Sequence, residues 1–264
     1  MDWNKTKTIF IVVFAVLNIF LWSLYINQQE QVKNVEVLGQ PSIEESLKLD
    51  NITYDELSKE DVYSSYVSAE TGSFQRSMFQ KKEKQDVSII EGTTVYSNLE
   101  KPFRLNGKKD KIAYSEFLDK YIVFGEQYRL WEVHEDEGYA VFFQEVYDEP
   151  IYFSPNASLE VYFNEDGEIY RYKQRRLEAF VSFNQKKNLL TPFDVVSTLA
   201  SKGHLEQNAH IDHVELGYST LVQFTDTQVF APTWHVKVTQ KDKEVEHFFV
   251  NAIEGKVVEL QEDH

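Results

Sequence analysis

Apolar residues in this chain fall into one long run near the start and many short, alternating runs thereafter. Between Ile9 and Ile26 the only strongly polar residues are Asn18 and Ser23. At about 1.5 Å per residue, roughly 18 residues reach about 27 Å, close to a hydrocarbon core of about 30 Å. Trp3 precedes the run and Trp22 and Tyr25 lie near its far end, where amphipathic rings favour the membrane boundary. Lys5 and Lys7 flank it on one side, while Asn27, Gln28, Gln29 and Glu30 follow it on the other. The pattern predicts a single transmembrane helix over 9–26, with a cytoplasmic tail (1–8) and the rest of the chain outside the cell. Two other readings compete. A cleaved signal peptide needs a shorter apolar core and a small-x-small site, which the stretch from Leu24 to Gln29 lacks; the third option is a helix buried in a soluble protein.

Beyond the run, 27–40 is polar and reads as a juxtamembrane tether or helical extension. A short helix is expected from Ser42, a candidate N-cap, through Leu49, with Glu44 and Glu45 in its first turn. Strands are expected at Val62 to Val67 and Val87 to Val95, with an exposed loop or long hairpin from Arg76 to Asp86 between them. Tyr114, Phe117, Leu118 and Tyr121 recur at helical spacing. Strands Tyr128 to His134 and Tyr139 to Tyr147 flank a Glu137-Gly138 turn. The breaker Ser154-Pro155-Asn156 suggests a boundary between two modules, 41–153 and 154–264.

In the second module, Leu159 to Phe163 and Ile169 to Tyr172 flank Asp166-Gly167, a strong hairpin signal. Centring the turn there sets Phe163 opposite Tyr170 and Val161 opposite Tyr172, with the second strand running on toward Phe183. Thr191-Pro192 opens a helix whose stripe is Phe193, Val196, Leu199 and Ala200. Strands follow near 211–221, 233–239, 245–250 and 256–260. The expected fold class is α+β: a transmembrane helix, then an ectodomain of two helix-on-antiparallel-sheet modules.

Net charge narrows the partners. The 264 residues carry 43 acidic against 27 basic side chains, a formal charge of −16. The tail is slightly basic, so the outer part is strongly acidic, a poor match for nucleic acid or anionic wall polymers. The chain has no Cys, which excludes disulfide staples and thiol chemistry. No phosphate loop, dinucleotide fingerprint, nucleophile elbow or zinc-protease helix is present, so neither a catalytic residue nor a cofactor is expected and the chain reads as non-enzymatic. The best metal candidate, His210 to Glu215, fails on strand geometry: alternation sends His210 and Asp212 to one face and His213 and Glu215 to the other, so no metal site is expected. His235 and His247 stand where a late hairpin would bring them together, at a packed or rim position.

The stretch from Met1 to Phe10, with Asp2-Trp3-Asn4-Lys5-Thr6-Lys7 its most specific part, runs straight into the apolar run and Leu17-Asn18-Ile19-Phe20-Leu21. With Pro41-Ser42-Ile43-Glu44 and Leu49-Asp50-Asn51-Ile52, it resembles the YycI (WalI) family. Thr233 to Val238 followed by Phe249 to Val258 also resembles the end of a PepSY-type sheet, although Asn251 stands where that pattern usually has Asp. The first resemblance implies a membrane-anchored accessory protein of the YycF/YycG (WalR/WalK) two-component system in a Gram-positive bacterium. It further implies a heterodimer with a sister protein, YycH, and modulation of the YycG sensor histidine kinase that controls cell-wall metabolism.

Contact through the anchor is one route to such regulation. Ile11, Ala15, Asn18, Trp22 and Tyr25 follow 4-3-4-3 spacing along one stripe, with Ala15 allowing close approach and Asn18 seeking a hydrogen-bond partner. Two alternatives stand beside it: an extracytoplasmic sensor that binds a peptide or cell-wall fragment in an aromatic-lined pocket, and an anchored inhibitor or chaperone of secreted proteases.

Overall fold

A computed structural model describes residues 3–33, 42–105, 111–223 and 227–260. By contacts the chain divides into two units, Met1–Lys48 and Leu49–His264.

In the first unit, α1 (Trp3–Lys33) carries the apolar run and continues past it. Its side chains are described from Lys7 to Ser23, and all of them are exposed, Ile11 at 70% and Trp22 at 66%. Among the described residues, no helix is long and apolar enough to cross a membrane. The rest of the tether, 34–40, lies outside the described residues. α2 (Ile43–Leu49) opens with the expected cap. Glu45 N donates to Ser42 Oγ at 3.2 Å and Ser42 N donates to Glu45 Oε2 at 2.9 Å, so two otherwise orphaned N–H groups are satisfied reciprocally.

The second unit is mostly sheet. In chain order its strands are β1 (Thr53–Tyr54), β2 (Tyr63–Ser64), β3 (Val67–Thr71), β4 (Gln85–Ile90), β5 (Thr94–Phe103), β6 (Tyr128–His134), β7 (Tyr139–Val146) and β8 (Glu149–Tyr152). They continue with β9 (Ser158–Phe163), β10 (Ile169–Gln174), β11 (Leu177–Ser182), β12 (Lys187–Asn188), β13 (His210–Gln223), β14 (Thr227–Thr239), β15 (Val245–Asn251) and β16 (Val257–Val258). All but β2 and β12 join one 14-stranded mixed sheet, whose main path is β11-β3-β14-β13-β8-β7-β9-β10-β5-β4. The pairs β1–β13 and β8–β13 are parallel. The fold class is α+β, with a large mixed sheet.

Among the described residues, two α-helices lie wholly in this unit. α3 (Lys111–Tyr121) forms where the spacing predicts it, and its Tyr114 and Phe117 are fully buried in a core with Phe142, Leu159, Val161 and Tyr172. Burying each such ring contributes about 1.5–3 kcal/mol. Gly125 lets the next turn lie against the helix end: a Cβ there would sit 2.3 Å from the Leu118 carbonyl oxygen. α4 (Pro192–Ser201) starts at Thr191 in a capping box with Asp194. Val195, Val196 and Leu199 form its buried face, while Phe193 and Ala200 are only half-buried, so the core-facing stripe is rotated toward Val195.

Several expectations need correction. Val87 to Val95 is not one strand: Glu91 and Gly92, at φ 52° and 73°, turn the chain between β4 and β5. Arg76 to Phe79 is a 3₁₀ turn that buries Phe79 rather than an open loop. In the β9–β10 hairpin Val161 does face Tyr172, but Phe163 faces Ile169, because the register shifts between Ile169 and Arg171 and leaves Tyr170 unpaired. β10 ends at Gln174, and β11 leaves to pair with β3.

Nor do the strands sort by halves of the chain. β9 and β10, beyond the expected boundary, pair with β7 and β5, while β3 pairs with β14. Side chains reinforce this interleaving. Gln144 of β7 donates to the Leu177 carbonyl at 2.9 Å and accepts from Leu177 N at 2.7 Å, clasping the start of β11.

Candidate functional site

Where β6, β8 and the β13–β14–β15 ribbon meet, a cleft of about 210 Å³ opens, lined by residues that include Arg129, Trp131, Tyr152, Glu215, His235 and Lys237. Strand register explains the convergence. Across the ribbon, Glu215, His235 and Phe249 stand in one row and His213, Lys237 and His247 two rows along, on the same face. On β6, Trp131 is the extra residue of a bulge, between the pairs Leu130–Phe142 and Glu132–Val141. Bulges re-aim side chains at functional sites, and here the indole is set 4.8 Å from the His235 ring and 5.1 Å from Phe143.

A second bulge corrects the alternation expected for His210 to Glu215. The register shifts between Ile211 and His213, so Asp212 is unpaired and His213 and Glu215 face the same way as His210. The three still do not gather. His210 Nδ1 is 2.8 Å from Thr53 Oγ1, Asp212 accepts from Thr239, and His213 Nε2 is 3.6 Å from Glu215 Oε2. Among the described residues, no group of three His, Asp or Glu could hold a metal ion.

Arg129 is held from two sides, its Nε 2.9 Å from Glu145 and its Nη1 2.6 Å from Glu215. Its Nη2 has no hydrogen-bond partner, and neither do the Tyr152 hydroxyl and His235 Nδ1. Tyr152 lies over β13 because residue 217 is glycine: a Cβ there would come within 2.4 Å of the Tyr152 ring. The expected meeting of His235 and His247 occurs, with Nε2 of one 2.8 Å from Nδ1 of the other. Burial drives the His235 pKa down to about 3, and His247, His213, Lys237 and Arg129 add to the effect. Beside Tyr152, burial raises the Glu149 pKa to about 7, opposed by the Tyr218 hydroxyl and reinforced by Glu215.

Of the cleft residues, the sequence pointed to the histidine pair, and to His213 and Glu215 only within a rejected metal candidate. Arg129, Trp131 and Tyr152 carry no motif and reach the cleft through pairing across distant segments. The stripe residues lie elsewhere: Ile11, Ala15, Asn18 and Trp22 are exposed on α1, and the Tyr25 side chain lies outside the described residues. Asn18 Nδ2 donates to the Phe14 carbonyl at 2.9 Å, within its own helix.

No curated protein matches the chain. Among solved structures, an uncharacterized protein from Eubacterium rectale covers 80% of this chain and 92% of its own, at 13% identity and TM-score 0.49. YycH from Bacillus subtilis covers 79% of this chain and 54% of its own, at 15% identity and TM-score 0.44. The family profile described as YycI protein matches residues 30–253, nearly the whole of the described sheet. On that match the chain belongs to the YycI family, regulatory accessory proteins of the YycFG two-component system.

Proposed function

We propose that this protein is a membrane-anchored, non-enzymatic regulator that binds a YycH-like sister protein and modulates the YycG (WalK) sensor histidine kinase governing cell-wall metabolism. The observation that carries the reading is the family match over 30–253. Anchoring is supported by the apolar run from Ile9 to Ile26 and by the exposure of every described side chain of α1. An isolated helix with large apolar side chains on all sides needs lipid or protein around it. Lys5 and Lys7 favour an inner N-terminus, which leaves the acidic sheet-rich body outside. The PepSY-like label gains support from the turn after β15. There Asn251 Oδ1 accepts from Ile253 N at 3.0 Å and Glu254 N at 2.9 Å, a job that Asp would do equally well.

Regulation by contact asks little energy. A kinase poised between two states changes their ratio tenfold for about 1.4 kcal/mol. The stripe Ile11, Ala15, Asn18, Trp22 and Tyr25 supplies a seam for partner helices. The Asn18 amide nitrogen donates to the Phe14 carbonyl of its own helix, and in this reading its oxygen takes the interhelical donor.

Crosslinking in intact membranes, with identification of the partner and readout of a kinase-controlled promoter, tests the reading. Ala15→Leu with Asn18→Leu should weaken partner capture about tenfold or less, since interhelical hydrogen bonds average about 0.6 kcal/mol. Val13→Leu and Leu17→Ile, off the stripe, serve as controls. Equal behaviour of stripe and control variants reduces the anchor to a tether. A secreted protease captured in place of the kinase overturns the regulatory reading. A reporter active only outside the cytoplasm, fused after His264, should be active, and its silence overturns the topology.

A further inference from the structure

We infer that the β7–β8 turn is a proton-operated switch: it lies closed against β13 and β2 while the Glu149 carboxyl is neutral, and swings out to water when that carboxyl ionises. The ligand is a proton, so the inference goes beyond the regulatory reading and does not depend on it.

Three observations carry it. First, the carboxyl is enclosed on terms that suit only its neutral form. Glu149 opens β8 and pairs with Val146 across the turn. Its Oε2 is buried and has no hydrogen-bond partner. A buried, partnerless carboxylate is costly, whereas a neutral carboxyl loses far less on leaving water.

Second, the surroundings supply no cation to offset this. The charged side chains on the elements around Glu149 are Glu145 on β7, Asp148 in the turn, Glu215 on β13, Arg129 on β6 and, behind β2, Lys187 on β12. Arg129 is already held by Glu145 and Glu215, and Glu215 itself opposes ionisation of Glu149. The Tyr218 hydroxyl favours the anion, but it also lies 3.1 Å from Ser64 Oγ of β2.

Third, the turn is poised to release. Tyr147 and Asp148, its central residues, sit at φ 54° and 66°, where such turns favour Gly or Asn, so the closed turn is strained. Both side chains are exposed, Tyr147 at 58%. The ladder that closes the turn has only two pairs, Glu145–Pro150 and Val146–Glu149, and proline has no N–H to give it. Beyond these, Ile151 and Tyr152 are held by β13, so opening can stop there.

The sign follows from linkage. Burial raises the closed-state pKa of Glu149 from 4.5 to about 7, so the closed turn is favoured below about pH 4.5 and loses that advantage as pH rises to about 7. The opening equilibrium can change by at most about 300-fold over that interval, and less because the side chain is only half-buried.

Hydrogen exchange read by mass spectrometry over residues 145–150 tests this, on the full chain in detergent micelles at pH 4.5 and pH 8. Comparing the native chain with Glu149→Gln at equal pH cancels the base catalysis of exchange. At pH 8 the native segment should exchange at least about tenfold faster than the variant, and at pH 4.5 the two should agree within about twofold. Glu149→Met, neutral and without hydrogen bonds, should behave like Glu149→Gln, so the test survives if the new amide strains the turn. Residues 164–168, in the β9–β10 turn, should exchange alike in all three proteins. Equal exchange of the three proteins over 145–150 at pH 8, a gap of the same size at both pH values, or a gap that spreads equally to 164–168 overturns the inference.

Discussion

His235 Nε2 lies 2.8 Å from His247 Nδ1, with the two rings within 5° of parallel, so the pair shares one N–H···N hydrogen bond that at least one neutral ring must accept. Both pKa values are lowered, that of His235 to about 3, chiefly by burial, while Glu132 and Asp212 pull His247 partly back. The unfolded chain therefore takes up protons near its ordinary histidine pKa while the folded chain does not. Stability from this source is complete above about pH 6.5 and is lost progressively as pH falls toward about 3. Denaturant midpoints should drop between neutral and mildly acidic pH, and His235→Phe should flatten that slope. An unchanged slope in the variant contradicts the assignment.

Glu149 works in the opposite direction. Its folded pKa of about 7 lies above the ordinary value of 4.5, so the folded chain holds its proton longer than the unfolded chain does. Its contribution is present below about pH 4.5 and lost as pH rises through about 7. Glu149→Gln should raise stability at pH 8 by about 1 kcal/mol, after allowance for its partial exposure, and change little at pH 4. Thermal melts at the two pH values check this, and a gain of equal size at both would point to packing instead.

Gly217 should tolerate no side chain. A Cβ would meet the Tyr152 ring at 2.4 Å and the Pro150 carbonyl oxygen at 2.6 Å, and the latter is backbone of the paired strand. Gly217→Ala should cost about 1–3 kcal/mol in chemical denaturation and displace Tyr152. A neutral substitution would show that β8 is free to shift.

Gln144→Leu keeps the approximate volume but strands the N–H and carbonyl of Leu177, both bonded by Gln144. Each buried, unsatisfied group costs about 1–3 kcal/mol, so a loss of about 3 kcal/mol is expected. Hydrogen exchange should show β11 opening first, and uniform loss of protection across the sheet would argue against a local clasp.

Local structure was legible wherever a few neighbouring residues decide it. The Ser42–Glu45 and Thr191–Asp194 caps, the α3 stripe through Tyr114 and Phe117, the Gly138 turn and the Val161–Tyr172 pair all depend on contacts within a helical turn or one hairpin. The His235–His247 meeting was legible for the same reason, since β14 and β15 are consecutive antiparallel strands. Partners far apart in the chain were not legible. An edge of β14 will accept any strand of suitable pattern, and only the packing of Val67 and Ala69 with Leu177 and Phe230 in a shared core selects β3. Bulges escaped for a related reason: Trp131, Tyr170 and Asp212 are ordinary strand residues, and the extra residue is placed by how the whole strand must twist to meet its neighbours. The cleft was decided by both, because Arg129, Tyr152 and His235 come from three segments that only the assembled sheet brings together.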